Sequence, residues 1–226
     1  MRIVTTSVRA GDSPAASGRE ERAEALFGWV ARHKQGVIWS VAIVLLGVGL
    51  LGWKQLSNRQ GERVASQRLN SARLALDSKN YPLAASELSS ISANYAGTRS
   101  ANEATILLAQ TRLAQGQSQQ AIAVLKDYAA GAPSGYQSQA FGLLGAAYEN
   151  IGHPKEAADA YQQAAAAAAM PFLKGQFLSD AGRTWLAAGD TARAKAAYQE
   201  IVTKLDSTSV AFEAKERLGE LGTAAK

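Results

Sequence analysis

The chain has 226 residues, enough for one or two domains; it is 47% hydrophobic and 19% charged, and it holds no cysteine. The missing thiols exclude a disulfide framework, a thiolate metal site and a cysteine nucleophile. Its net charge of +5 is no nucleic-acid signature: residues 1–53 carry six basic and four acidic side chains, and the rest are balanced at 18 to 15 with no basic stripe. Abundant alanine beside Leu, Gln, Glu and Lys favours helix, because these side chains lose little rotamer freedom there. Strand-like runs of Val, Ile and Thr are confined to one segment, so the expected class is all-α.

Residues 1–18 mix Ser, Gly, Pro and Ala with scattered charge and read as a disordered tail. Residues 19–36 form an amphipathic juxtamembrane segment, with Ala25, Leu26, Phe27, Trp29 and Val30 set among Glu20, Glu21, Arg22, Glu24, Arg32 and Lys34. It suits a helix lying in the membrane interface or a simple helical extension of the apolar run after it. Residues 37–53 are almost wholly apolar and read as a transmembrane helix; with the flanking uncharged positions they span roughly 26–28 Å at about 1.5 Å per residue. Trp39 and Trp53 sit near the ends of the run, closed by Arg32, Lys34 and Lys54. A buried helix of a soluble domain is the alternative. A cleaved signal peptide fits less well, because Leu51-Gly52-Trp53-Lys54 offers no small-residue cleavage site. Basic residues flank both sides, so charge leaves the orientation open.

Residues 54–64 form a connector, and residues 65–222 carry an internal repeat. One copy reads Phe141-x2-Leu144-Gly145-x2-Tyr148-x3-Gly152-x4-Ala157-x3-Tyr161-x2-Ala164. The next reads Leu178-x2-Ala181-Gly182-x2-Trp185-x3-Gly189-x4-Ala194-x3-Tyr198-x2-Ile201, with the same spacing throughout. An earlier copy runs from Thr105 through Leu108, Ala109, Arg112, Gly116, Ala121 and Leu125 to Tyr128. A worn one keeps Ala72, Ala75, Ala84, Leu88 and Ile91, with Asn80-Tyr81-Pro82 at its turn. Repeats begin near Ala65, Asn102, Ser138 and Gly175. Two apolar stripes of helical period around a glycine make a helical hairpin, and such hairpins bury their faces by stacking. Small residues such as Gly145, Gly182, Ala157 and Ala194 permit close approach, while Tyr148, Tyr161, Trp185 and Tyr198 fill the space between pairs. Ser209–Leu221 reads as a closing helix.

The pattern over residues 65–208 resembles the tetratricopeptide repeat (TPR) family, with Ala75 and Arg112 standing where an aromatic is expected. The resemblance implies a TPR-type α-solenoid of about four helix hairpins plus a C-terminal capping helix, preceded here by the one transmembrane helix. It also implies a protein-binding concave face lined by the first helices, which would include Arg73, Asp77, Glu103, Gln110, Gln139, Glu149, Asn150, Gln176 and Arg183. Leu69, Ile106, Gly142 and Ser179 hold the registers where a carboxylate clamp would want lysine, so that mode is not expected. The order of tail, anchor and Ala-rich repeats is similar to the YfgM-like ancillary subunits of the bacterial Sec translocon. That similarity implies an inner-membrane protein with a cytoplasmic N-terminus and a periplasmic repeat domain, partnered by translocon components or chaperones.

No phosphate loop, Gly-x-Ser-x-Gly, His-x3-His or paired carboxylate motif occurs, and His153 before Pro154 reads as a turn residue. The expectation is a non-enzymatic adaptor with protein partners and without cofactor, metal or small-molecule substrate. The competing readings are an envelope scaffold that self-associates through the Ala164–Ala169 edge, and a ligand-binding regulator.

Overall fold

The computed structural model describes residues 34–223, with the side chains at 34, 37, 38, 40, 41, 50–58 and 223 outside the description. The tail 1–18 and residues 19–33 of the juxtamembrane segment lie outside the described residues. The chain divides into two units, Met1–Leu56 and Ser57–Lys226.

Nine helices succeed one another among the described residues: α1 (Lys34–Asp77), α2 (Tyr81–Asn94), α3 (Arg99–Ala114), α4 (Ser118–Gly131), α5 (Ser134–Asn150), α6 (Pro154–Ala167), α7 (Pro171–Ala187), α8 (Thr191–Lys204) and α9 (Val210–Thr223). There is no strand among them. The described side chains of the first unit lie on α1. Ile43, Val44, Leu45 and Leu46 are each 62–66% exposed, as is Val48 at 62%. Four consecutive residues at about 100° each pass right round a helix, so this apolar surface has no inward face. Among the described residues no helix is long and apolar enough to cross a membrane. The described side chains of the run cover only part of it.

In the second unit, the C-terminal part of α1 pairs with α2, α3 with α4, α5 with α6 and α7 with α8, and α9 closes the array. The three glycine turns take left-handed backbone, with φ of 71° at Gly116, 74° at Gly152 and 80° at Gly189. At each one the amide two residues past the helix cap bonds back across the last turn: Gln117 to Arg112 O, His153 to Tyr148 O and Asp190 to Trp185 O, at 2.8–3.0 Å. The first hairpin makes the same turn without glycine. Lys79 holds φ of 58°, and the Asn80 amide reaches Ala75 O at 2.8 Å. The second helices start by different means. Asn80 and Asp190 cap with their side chains, on the amides of Leu83 and Arg193. His153 places Pro154 at the first turn, where no amide is needed, and Gln117 makes no side-chain cap.

The decisive packing contact recurs once per hairpin. Tyr161 lies flat on α5 because Gly145 has no side chain: a Cβ there would meet the ring at 2.7–2.9 Å. Tyr198 lies on Gly182 of α7 in the same way, at 2.6–3.0 Å. The equivalent positions of the first two hairpins hold Ala72 with Leu88 and Ala109 with Leu125, all four fully buried. A methyl added on the first helix is thus matched by a smaller side chain on the second, which keeps the interhelix volume filled at native density. Gly145 and Gly182 therefore seat the facing tyrosine rings, while Ala72 and Ala109 stand opposite leucines.

Three apolar clusters result, each straddling a repeat boundary. One joins Ala65, Leu69, Leu88 and Ile91 to Leu108. The next joins Ala109, Leu125, Phe141 and Leu144. The last gathers Tyr161, Leu178, Trp185, Tyr198, Ile201 and Leu205 beneath Ala211 and Ala214 of α9. Trp185 sits between neighbouring pairs with the Arg193 guanidinium 4.5 Å over its ring, and Tyr148 touches both of the later clusters. Polar groups tie the first repeat boundary together: the Ser100 amide and hydroxyl both donate to Glu62, at 3.2 and 2.6 Å, across the N-terminus of α3. The Ala164–Ala169 run is exposed only in part, at Ala166 and Ala169 and partly at Ala167 and Ala168. Ala164 and Ala165 are in the core at 0% and 1% exposure, because α6 turns that face onto α5 and α7.

Three substitutions test this packing and the first turn. Gly145→Ala should lower stability by about 1–2 kcal/mol despite alanine's better helix propensity, since the opposing ring is held on both sides. Adding Tyr161→Leu, the pairing of the second hairpin, should recover part of the loss in a double-mutant cycle read by urea denaturation. Lys79→Gly should raise stability by about 0.5–1 kcal/mol, because the left-handed strain it removes exceeds the added freedom of the unfolded chain. An unchanged or lowered thermal midpoint would contradict that account.

Candidate binding groove

The first helices form one layer of the array. Within it α3 approaches α5 and α7 approaches α9, while the second helices make no comparable contacts with one another. Between α5 and α7 the backbones are splayed. That gap is bridged by the Phe177 ring, which lies so close to Gly142 that a Cβ there would stand 2.5 Å from it.

The nine residues expected on this layer fall into two groups. Arg73 of α1 pairs with Glu103 of α3, and Glu149 of α5 pairs with Arg183 of α7, so four of them are engaged in ion pairs between neighbouring first helices. The others, Asp77, Gln110, Gln139, Asn150 and Gln176, are exposed. Gln139 and Gln176 stand at the mouths of two clefts. The first cleft lies in the splayed α5–α7 gap, has a volume of about 520 Å³, and is walled by Leu143, Ala146, Leu173 and Phe177. The second, about 320 Å³, lies between α7 and α9 and is lined by Phe172, Val210, Tyr198, Glu213 and Arg217. Asp180 lines both. Register reasoning missed Asp180 and the apolar walls. Leu143 and Phe177 belong to helical stripes that look like core, and only the splaying of α5 from α7 opens them.

The ion pairs are linked to the core. The Tyr161 hydroxyl donates to Glu149 Oε2 at 3.2 Å, and the same oxygen accepts from Arg183 Nη2 at 3.1 Å. The seat of Tyr161 on Gly145 thus sets the carboxylate that reaches the next repeat. Hydrogen bonding from Arg183 holds Glu149 below the usual carboxylate range, and burial pushes the Tyr161 hydroxyl up. Burial likewise raises Asp180, although Arg183 Nη2 donates to it at 3.3 Å. Among the described residues no group of His, Cys, Asp and Glu is placed to hold a metal ion.

No family model matches the chain, and no curated protein matches it. Solved structures do. Two crystal structures of nearly identical TPR-like repeats of the kinesin-light-chain type from Podosopora anserina superpose on 73% of this chain. Each gives a TM-score of 0.55, at 18% and 19% identity, over 87% and 88% of their own length. The repeat unit therefore has the TPR-like α-solenoid fold.

The Glu149 network gives a signed prediction. A carboxylate depressed in the folded state contributes stability that is complete above its ordinary value near 4.5 and lost as pH falls through the lowered one. Asp180, raised, works in the opposite direction. Glu149→Gln should therefore flatten the acid-side loss of stability relative to wild type, measured as urea midpoints from neutral pH down to about pH 3. Parallel curves for the two proteins would remove Glu149 from the account.

Proposed function

We propose that the chain is a membrane-anchored adaptor whose TPR-like repeats hold a segment of a partner protein against the first-helix layer. The observation that carries the reading is the pair of adjoining clefts across α5, α7 and α9, the first walled mainly by apolar side chains and the second by apolar and charged ones together. Such a surface suits side chains of an extended or helical segment. Anchoring is supported by the apolar run at 37–53, whose described side chains are exposed all round the helix, as a lipid-facing helix requires. An anchor would hold the repeats at high effective concentration near membrane partners.

Within that reading the anchor lies in the inner membrane, the N-terminus in the cytoplasm and the repeats in the periplasm. The partner is then a translocon component or a chaperone, as the similarity to YfgM-like subunits implies. Self-association into a scaffold is less well supported, because Ala164 and Ala165 of the edge proposed for it lie in the core.

The test is a photo-crosslinking side chain at Gln139 or Gln176 in living cells, with Gln199 on α8 as the control face. Adducts with a defined envelope protein from the two cleft positions, absent from Gln199, are the expected result, with the chain in the membrane fraction. Adducts from Gln199 alone would place docking on the other face. Adducts between two copies of the chain would make it a scaffold.

A further inference from the structure

We propose that the adjoining clefts select a partner segment in which lysine or arginine is flanked by large apolar side chains; this rests on the adaptor reading and names the chemistry of its ligand. The apolar half of the requirement comes from Leu143, Leu173, Phe177 and Phe172, the last of which is 56% exposed at the start of α7 with nothing covering it. Phe177 closes only part of the gap, its ring being pinned against Gly142.

The charged half comes from an imbalance around the α7–α9 cleft. The cleft itself is lined by Asp180, Glu213, Arg183 and Arg217, and both guanidinium groups are also held by carboxylates outside the lining, Glu149 and Glu220. Arg183 is shared by Glu149 and Asp180, and Arg217 is held by Glu220 at 3.1 Å. Glu213 has no ion pair among the described residues and lines the cleft opposite Asp180. Asp180 stands where both clefts meet, and its carboxylate is partly stripped of water with only a 3.3 Å bond to a shared Arg183. A cation arriving between Asp180 and Glu213 completes both, while an acidic segment would be repelled. The registers that a carboxylate clamp would fill with lysine hold Gly142 and Ser179 here, in the walls of the same clefts.

The experiment uses the full chain in detergent micelles and two fluorescein-labelled peptides identical except at their core, Lys-Leu-Lys-Phe in one and Glu-Leu-Glu-Phe in the other, read by fluorescence anisotropy. The lysine peptide should bind at least about tenfold more tightly, and more weakly as ionic strength rises to about 0.5 M. Asp180→Asn and Glu213→Gln should each weaken it several-fold. The thermal midpoint should hold or rise in Asp180→Asn, because a half-buried charge is removed. Equal binding of the two peptides would overturn the charge selection while leaving the groove a docking surface. Binding of neither, with crosslinks only from Gln199, would overturn the selection and the adaptor reading together. Concentration-dependent dimers that exclude the peptide would make a second copy of the chain the occupant.

Discussion

Every hairpin depends on one steric trade between a small residue on its first helix and the side chain that lands on it from the second. Where the first helix offers glycine, a tyrosine ring lies against the bare backbone; where it offers alanine, a leucine suffices. Because interiors are packed as densely as crystals, neither partner can change alone without cost. The trade fixes how far apart the two helices lie, and with that the distance at which the next repeat can dock. In the third hairpin it also sets the first-helix surface, since the Tyr161 hydroxyl reaches Glu149 and through it Arg183 of the next repeat.

The first-helix layer is therefore not a free polar surface decorating a scaffold. Its charges are spent in part on holding neighbouring repeats in register, and what remains for a ligand is concentrated where that layer parts. The splaying of α5 from α7 accompanies the break at Ala168–Met170, where α6 ends and the chain takes extended backbone before Pro171. The alanine run thus contributes through the place where it stops being helical.

Much of this is legible in the residues alone. Gly116, Gly152 and Gly189 announce their turns because a left-handed residue at fixed spacing has few other uses, and the apolar stripes on either side place the helices. Lys79 is hidden: nothing about a lysine signals positive φ, and only the surrounding hairpin imposes it. Choosing groove residues by register finds charged side chains, but side chains in register on adjacent first helices face each other, so Arg73 meets Glu103 and Glu149 meets Arg183. Leu143 and Phe177 look like core because periodicity reports which face is apolar and not whether a neighbour covers it. Ala164 and Ala165 mislead in the opposite sense, since a homopolymer run has no periodicity to reveal its buried side.

The three apolar clusters differ in the kind of side chain they bury, and this has a consequence for how the array comes apart. The cluster of the first hairpin rests on alanine, leucine and isoleucine, whereas the last encloses Trp185, Tyr161 and Tyr198. Contacts run only between neighbours, so loss of one hairpin uncovers a single boundary and need not propagate. The array is graded like a zipper whose loose end is the N-terminal one. Transient opening there would uncover Leu108 at the first boundary while the aromatic-rich hairpins beyond it stay folded.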